Sequence, residues 1–367
     1  MAHERGFHLK VATIVGARPQ FIKAAPVSRA LREENIELLV NTNQHYDDDM
    51  SAVFFRELDI PEPDYNLGIG SGTHGQQTGK MLIKIEEVLL KEHPDFLLVY
   101  GDTNSTISGA LAAVKLNIPV AHVEAGLRSF NREMPEEHNR VVVDHCSDLL
   151  FCPTQSAVKW LAKEGITKGV HLVGDVMLDA VLHNITIARA SSTILTDLGL
   201  EPKGYALATV HRSYNTDIPQ HLYDIFSALA DIGQKVIVPV HPRTRKQIVK
   251  YGMTKFLSAN SSSLNVIDPV GYLDMLMLEK SSRLILTDSG GVQKEAYFMS
   301  VPCITLRPET EWVETVDAGW NVIADHSTDN IINTANKHVW PKDEPEPIFG
   351  DGHASERIVK ALSDGEH

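Results

Sequence analysis

Four carboxylates stand at or after the ends of predicted strands in the first half of the chain: Asp102, Glu124, Glu136 and Glu137. Acid–base catalysis needs two proton-transfer groups near one substrate atom, in surroundings that set their pKa values apart. The residue types and positions therefore predict a proton-transfer site. The alternative is a structural role, in which Asp102 caps the following helix and Glu124 pairs with Arg128 or Arg140.

A turn in the second half of the chain has two adjacent glycines, Gly290 and Gly291, directly after Ser289. Glycine lets a phosphate approach the backbone, and the free N–H groups at a helix N-terminus bind anions. Glu295 lies about one turn into the predicted helix, where its carboxylate could hold ribose hydroxyls. The pattern favours a nucleotide phosphate site, and the alternative is a tight turn without a ligand.

A similar turn follows Gly16 in the first half of the chain. Pro19 suits the first position of a helix, and Arg18 and Lys23 bring cationic side chains to the same end. The segment predicts either an anion site or a capped helix with surface charges.

Two further patterns match part of a cofactor motif, one for NAD and one for zinc, but each lacks the neighbouring sequence that the complete motif requires. The glycines of Gly70–Gly75 match the spacing of a dinucleotide-binding turn, yet they follow a loop rather than a strand, which predicts a flexible loop and no NAD site. His122 and Glu124 have the spacing of a deaminase zinc motif, but no Pro-Cys-x-x-Cys follows. The sequence therefore predicts neither a cofactor nor a metal.

Short apolar segments alternate with amphipathic segments along the whole chain. Continuously apolar strands are typical of parallel sheets that are buried on both faces, and their alternation with helices predicts right-handed βαβ units. The predicted strands with stated ends are Lys10–Val15, Glu37–Asn41, Phe96–Tyr100, Val120–Val123, Leu149–Cys152, Tyr205–Val210, Lys235–Val240, Asn265–Ile267, Leu284–Thr287, Cys303–Leu306 and Asn321–Ala324, and a further strand is predicted around Leu172. The predicted helices include Phe21–Arg32, Gly79–Lys91, Ser105–Leu116 and Ile218–Ile232.

These two series predict an α/β protein with two Rossmann-like, doubly wound domains. Ligands of such sheets bind beyond the carboxyl ends of the strands. The candidate residues described above follow strands, so we expect them at these edges.

The composition narrows the class of function. The 367 residues carry a net charge of −14, which argues against nonspecific nucleic-acid binding. It does not exclude an anionic ligand, because the charge near the site decides binding. Three cysteines without a C-x-x-C pair predict no disulfide framework and a reducing, cytoplasmic location. With no apolar run near 18 residues and no signal peptide, no membrane association is expected.

Taken together, nine blocks resemble, in order, the non-hydrolysing UDP-N-acetylglucosamine 2-epimerase family. The blocks are Gly16-Ala17-Arg18-Pro19-Gln20 with Lys23, Asn43-Gln44-His45, Gly101-Asp102-Thr103, His122-Val123-Glu124-Ala125-Gly126-Leu127-Arg128, Pro135-Glu136-Glu137-His138-Asn139-Arg140, Val173-Gly174-Asp175, Thr209-Val210-His211-Arg212, Thr287-Asp288-Ser289-Gly290-Gly291 and Glu309-Thr310-Glu311-Trp312.

The resemblance implies a GT-B fold with an interdomain cleft. Residues 1–175 would form a catalytic N-terminal domain, joined by a C-terminal helix at 353–367, and residues 176–352 would form a UDP-binding domain. It also implies a homodimer that epimerises a UDP-2-acetamido sugar without NAD, by elimination and re-addition of UDP, for surface polysaccharide precursors.

Site roles follow from the same resemblance. The implied catalytic residues are Asp102, Glu124, Glu136 and His211, and which carboxylate acts as base stays open. The implied substrate-binding residues are Arg18, Lys23, Gln44, His45, Arg140, His241, Arg243, Ser289, Gly290, Gly291, Glu295 and Arg307.

Some segments depart from the common family pattern. Where many relatives have x-Glu-Asn after His-Arg, this chain has Ser213-Tyr214-Asn215, and where many have His-Pro-Asn, it has Pro242-Arg243 after His241. The loops after Gln44 and near Gly75 are also altered, which disfavours activation by a second UDP-sugar. The segments 65–68 and 307–312 resemble a branch that acts on UDP-2,3-diacetamido-2,3-dideoxyglucuronic acid. Arg243 or Arg245 would then meet the substrate carboxylate. A GT-B glycosyltransferase is the more remote alternative.

Overall fold

The computed structural model describes residues 8–44, 60–257 and 263–365. The chain divides into two compact units. Unit 1 comprises Met1–Leu182 and Pro347–His367, and unit 2 comprises His183–Glu346. The sequence-based domain limits, 1–175 with 353–367 and 176–352, stay predictions.

Unit 1 is built on a parallel sheet of seven strands in the order β3-β2-β1-β4-β5-β6-β7. The strands are β1 Lys10–Val15, β2 Ile36–Asn41, β3 Tyr65–Asn66, β4 Phe96–Tyr100, β5 Val120–Val123, β6 Leu149–Cys152 and β7 Val170–Leu172. The central strands β4, β5 and β6 are buried throughout and, apart from His122 on β5, consist of apolar or aromatic residues and Cys152, because helices cover both faces of a parallel sheet.

The helices of unit 1 connect these strands. They are α1 Arg18–Glu34, α2 His74–Glu92, α3 Asn104–Lys115, α4 Pro135–Cys146, α5 Gln155–Lys163 and α15 Ala354–Asp364, while α6 Val176–Ser191 runs across the boundary between the units. Threonine hydroxyls accept backbone N–H groups at the starts of α2, α3 and α5, which satisfies donors that a helix leaves free. Helix α15 packs against α1, and its first N–H groups bind the Asp179 carboxylate.

Unit 2 is a parallel sheet of six strands in the order β10-β9-β8-β11-β12-β13. The strands are β8 Ala206–Thr209, β9 Val236–Pro239, β10 Leu264–Ile267, β11 Leu284–Thr287, β12 Cys303–Thr305 and β13 Asn321–Ile323. The helices are α7 Ile194–Asp197, α8 Ser213–Thr216, α9 Pro219–Asp231, α10 Pro242–Lys250, α11 Tyr272–Ser281, α12 Gly290–Phe298, α13 Val313–Asp317 and α14 Thr328–Lys337, with a 3-10 turn at Thr254–Phe256. Its core includes Phe226, Val238 and Leu286.

The two Rossmann-like sheets confirm the predicted α/β class. Five predicted strands agree with the structure at both ends, and the others with stated ends differ by one residue at one or both ends. The sequence patterns missed β3 and the one-turn helices. The flexible loop predicted over Gly70–Gly75 is wrong at its end, because Thr73 caps α2 in a capping box with Gln76 and the helix begins at His74.

All three cysteines are free thiols, as the sequence predicts. None of the helices in the described ranges combines the length and apolar character needed to cross a bilayer.

Candidate active site

Glu124 lies directly after β5, on a backbone turn with φ of 72°. Its carboxylate forms an ion pair with Lys23 of α1, and the two side chains are only 8% and 13% exposed. The alternative partners for Glu124 are therefore wrong: Arg128 pairs with Asp144, and Arg140 pairs with Asp102. The structure thus gives Glu124 a fixed cationic neighbour from the Gly16 turn.

Asp102 follows β4 and forms an ion pair with Arg140 of α4. It does not cap α3, because the hydroxyl of Thr103 accepts the helix N–H groups there. Burial raises the pKa of Asp102 above the usual range, and repulsion from Glu124 adds to this effect, while Arg140 opposes it. A carboxyl group of this kind can hold a proton closer to neutral pH, which suits proton transfer.

The first turn of α4 carries two adjacent glutamates with different tasks. Glu137 is buried and accepts hydrogen bonds from the backbone N–H and hydroxyl of Ser129 and from the N–H of Phe130, at 2.9 Å each, so it holds the preceding loop. Glu136 is half-buried, and its charge contributes to the raised pKa of Asp102. Unit 1 therefore brings Asp102, Glu124 and Glu136 into electrostatic reach of one another.

The Gly16 turn is held by Gln20, a residue without a predicted site role. Its Oε1 accepts the N–H groups of Gly16 and Ala17 at 2.9 and 3.1 Å, and its Nε2 donates to the carbonyl of Tyr100 at 2.9 Å. This arrangement places half-buried Arg18 at the start of α1. Pro19 and the glutamine three residues after the N-cap are the sequence signals of the turn.

Gln44 is linked to the start of α3. Its Oε1 accepts the N–H of Ser105 at 3.0 Å and the hydroxyl of Ser105 at 2.8 Å. The predicted sugar-loop residue His45 lies outside the described residues. Gln44 thus joins the end of the Asn43 segment to the helix that follows Asp102.

We expect Gly16→Ala to lower the free energy of unfolding by about 1–3 kcal/mol, a typical cost of overpacking. A methyl group there would overlap Thr42 Oγ1 and Ser105 Oγ, which bond each other at 2.8 Å. Chemical denaturation measures the change. Gly79→Ala is the control, because no atom lies within 4 Å of its methyl position and Ala favours the helix. Equal stability of the Gly16→Ala variant and wild type would contradict this packing argument.

In unit 2, the buried carboxylate of Asp288 holds the turn after β8. It accepts the backbone N–H groups of His211 and Arg212 and the Nδ2 of Asn215, at 2.9–3.1 Å, and its Oδ1 lies 3.2 Å from Nδ1 of His211. Burial would raise the pKa of Asp288, but these donors outweigh burial and hold it below the usual range. Asp288 and Asn215 have no predicted site role, although Asp288 stands at a strand end, where ligands of such sheets bind.

Replacing Asp288 with Asn is expected to lower the free energy of unfolding by about 3 kcal/mol, because an amide cannot satisfy this set of donors. The lowered pKa gives a stabilisation that is present above the ordinary pKa of about 3.9 and is lost as pH falls through the lower folded-state value. The variant should therefore lose less stability than wild type on acidification below about pH 4. Urea denaturation at a series of pH values through and below pH 4 measures the stability of both proteins, and the exposed Asp231→Asn is the control. Parallel pH profiles for the Asp288→Asn variant and wild type would contradict the argument.

The predicted phosphate turn is a helix start, as expected. Ser289 is the N-cap of α12, and its hydroxyl accepts the N–H of Val292 at 3.5 Å, while Gly290 and Gly291 form the first turn. A methyl group on Gly290 would lie 3.2 Å from the indole nitrogen of Trp312, a close contact that would require the indole to shift slightly. Glu295 is buried in the same helix and accepts a hydrogen bond of 3.2 Å from Tyr272.

Three further binding residues are predicted in unit 2. His241 lies near His211, and Arg243 and Arg307 are each paired with a carboxylate. His241 caps α10, with its ring 5.9 Å from that of His211. Arg243 is exposed and paired with Asp217 at 2.7 Å. Arg307 is buried and paired with Glu311 through two hydrogen bonds of 2.9 and 3.1 Å.

No group of three or more His, Cys, Asp or Glu side chains suited to a metal ion occurs in residues 8–44, 60–257 and 263–365. The two units instead offer two chemistries. Unit 1 gathers proton-transfer carboxylates beside Lys23 and Arg140, and unit 2 offers a glycine-rich helix start beside His211.

Comparison with known proteins identifies a family. The family model for UDP-N-acetylglucosamine 2-epimerase matches residues 29–363. A Methanococcus maripaludis protein, named a UDP-N-acetylglucosamine 2-epimerase homolog, is 54% identical, over 96% of this chain and 99% of its own. The UDP-2,3-diacetamido-2,3-dideoxy-D-glucuronate 2-epimerase of Pseudomonas aeruginosa is 49% identical, over 97% of this chain and 99% of its own.

A solved structure gives the same result. The UDP-GlcNAc 2-epimerase of Methanocaldococcus jannaschii, in complex with UDP-GlcNAc and UDP, superposes with a TM-score of 0.88. It is 46% identical in sequence, and the match covers 97% of this chain and all of that chain.

Proposed function

The chain belongs to the UDP-N-acetylglucosamine 2-epimerase family, and we propose that it interconverts UDP-N-acetylglucosamine and UDP-N-acetylmannosamine. The protein is thus an isomerase. The observation that carries the proposal is the group of Asp102, Glu124 and Glu136 in unit 1, where the raised pKa of Asp102 responds to both glutamates. A nucleotide-binding turn alone would serve many enzymes, whereas proton-transfer carboxylates are what an epimerase adds.

The chemistry requires departure of UDP. The C2–H of the sugar has no adjacent carbonyl, so a carboxylate would not remove it unaided. When the C1–O bond breaks, its electron pair leaves with UDP and C1 becomes oxocarbenium-like, which acidifies the C2 proton. One carboxylate takes that proton as a C1–C2 double bond forms. UDP then re-adds to C1 while a second group delivers a proton to the opposite face of C2.

We assign the proton transfers to Asp102, Glu124 and Glu136, and we assign His211 to catalysis beside the leaving group. Lys23 and Arg140 would stabilise the charged carboxylates, since each forms an ion pair with one of them. Ser289, Gly290 and Gly291 would bind the diphosphate at the start of α12, and Glu295 would bind ribose hydroxyls. These contacts must retain UDP while the glycal intermediate waits, and water must be excluded.

The second candidate substrate is UDP-2,3-diacetamido-2,3-dideoxyglucuronic acid, which is favoured by the 49% identity to the Pseudomonas aeruginosa enzyme. The two arginines considered for its carboxylate already have partners: Arg243 pairs with Asp217 and Arg245 with Asp268. A uronate would have to displace one of these carboxylates. We therefore place the uncharged sugar first.

The test incubates the pure protein with either UDP-sugar in D₂O without an acceptor. NMR should show the 2-epimer and deuterium at C2 for the true substrate. A glycosyltransferase would leave C2 unlabelled. If neither sugar exchanges its C2 proton, the epimerase proposal fails.

The resemblance also supports proposals about context. We propose a cytoplasmic homodimer that needs no added metal or cofactor and supplies a surface polysaccharide precursor. Light scattering gives the oligomeric state, and activity after treatment with a chelator tests the independence from metal.

A further inference from the structure

His122 is a fully buried histidine on β5, two residues before Glu124, and it has no role in the proposed proton transfers. Its Nδ1 lies 2.7 Å from Oδ1 of Asp144, and its Nε2 lies 2.7 Å from the carbonyl oxygen of Gly101. Both partners are acceptors. A neutral imidazole donates from only one nitrogen, so a ring that donates to both acceptors carries a proton on each nitrogen.

The surroundings of His122 balance such a charge. Asp144 also accepts a hydrogen bond of 2.6 Å from Arg128, which pairs with both oxygens of Glu164 at 2.7 Å. Asp144 thus contacts His122 and Arg128 in the interior, and the exposed Glu164 holds the outer side of Arg128. Burial favours a raised pKa for Asp144, but its bonds to His122 and Arg128 outweigh burial and lower it, so the carboxylate is the acceptor.

The turn after β5 needs such support because its backbone is strained. Glu124 has a φ of 72°, a region that costs a non-glycine residue about 1–3 kcal/mol unless its surroundings impose it. Gly126 follows with a φ of 81°, and a methyl group there would lie 2.6 Å from the carbonyl oxygen of Ala157. Asp144 binds both sides of this turn, through His122 before it and the N–H of Gly126 after it.

His122 also contacts the turn that carries Asp102. The carbonyl that His122 binds belongs to Gly101, the residue immediately before Asp102. The N–H of Gly101 in turn donates to the carbonyl of Val123 at 3.0 Å, immediately before Glu124. One buried pair therefore links the backbone that presents Asp102 to the backbone that presents Glu124.

We propose that His122 and Asp144 are positioning residues, an imidazolium–carboxylate pair that fixes the turns carrying Asp102 and Glu124 for proton transfer. The inference rests on the proposed function for the role of those two carboxylates. Neither residue touches the reacting atoms. Their effect is on kcat through the geometry of the acid–base groups, and binding of UDP by unit 2 does not depend on them.

The first test examines the wild-type ring with ¹⁵N-labelled histidine. NMR should show one imidazole with both nitrogens protonated and protected from solvent, and this signal should be missing from the spectrum of His122→Gln. A neutral tautomer for His122 would overturn the proposal. Assignment by difference requires a folded His122→Gln protein; if that variant does not fold, through-bond assignment of the ring signals in wild type makes the same measurement.

The second test compares the kinetics of His122→Gln with those of wild type. The kcat should fall about a hundredfold, as misplacement of catalytic groups by about 1 Å can cost, while KM and the UDP dissociation constant remain close to wild type. His171→Gln is the matched control, because His171 lies on β7 of the same sheet and packs against Phe151 without bonding either turn.

The outcomes separate the two proposals. A folded His122→Gln protein with wild-type kcat would overturn the positioning role, as would an equal loss in the His171→Gln control. If wild type exchanges C2 of neither UDP-sugar, the proposed function fails instead. The ring signals would still report on the pair itself.

Discussion

Glu124→Gln is expected to abolish deuterium exchange at C2 of the sugar while UDP still binds. An amide has the shape of the carboxylate but cannot take up or release a proton at neutral pH. General acid–base groups contribute about 10²–10⁴ to the rate, and we expect a loss in this range. NMR in D₂O measures the exchange, and calorimetry measures the binding of UDP.

The position of Glu124 makes this change specific. Its carboxylate is nearly buried against Lys23, and both side chains belong to unit 1, whereas the residues proposed to bind UDP at the start of α12 belong to unit 2. The variant leaves Lys23 without its partner, so some loss of stability is also expected. Thermal unfolding separates this loss from the loss of chemistry.

Glu133→Gln is the matched control for Glu124. Glu133 is an exposed glutamate of unit 1, in the segment before α4, and is given no part in the site. Its variant should exchange C2 at the wild-type rate. Full activity of Glu124→Gln would remove Glu124 from the mechanism, and failure of a folded Glu124→Gln protein to bind UDP would assign it to binding.

Asp102→Asn is expected to remove epimerisation to a similar extent as Glu124→Gln. The pKa of Asp102 is raised in the folded state, chiefly by burial. For an acid with a raised pKa, the favourable contribution is present at low pH and is lost as pH rises from the unfolded to the folded value. At pH 7 the charged form therefore costs some stability, and an uncharged amide relieves that cost while leaving the buried Arg140 without its ion-pair partner, so the two effects on stability oppose each other.

The measurement pairs kinetics with thermal unfolding at neutral pH. Asp95→Asn is the control, because Asp95 stands just before β4, at the other end of the strand that leads to Asp102, and its Oδ2 accepts the N–H of Lys10. The control should keep wild-type activity. A folded Asp102→Asn variant that epimerises at the wild-type rate would contradict this account of Asp102.

The two variants also bear on the direction of proton transfer, which the geometry leaves open. If Glu124 and Asp102 act on opposite faces of C2, each variant could still release UDP from one epimer and not from the other. Starting the reaction from each epimer would show which carboxylate removes the proton from which face. Equal residual elimination from both epimers would place the two residues in one shared role.

Much of the fold follows from local sequence patterns. The segments Phe96–Tyr100 and Leu284–Thr287 are strands at both predicted ends, because a short apolar segment between polar residues has few other stable states in a parallel sheet. The helix at His74 was misjudged over its first residues because the glycines before it suggested a loop. Its start depends on the local capping box of Thr73 and Gln76, a signal that was present in the sequence.

The sequence by itself determined the residue types of the candidate site and their place at strand ends, because in parallel sheets these ends gather at one edge. It did not determine partners. Glu124 pairs with Lys23, 101 residues away in the chain, and Asp144 joins His122 to Gly126 behind them. Spacing carries no information about which side chains meet across a sheet or how deeply they are buried. Only the tertiary structure therefore decided the ion pairs, the raised pKa of Asp102 and the buried pair beneath the two turns.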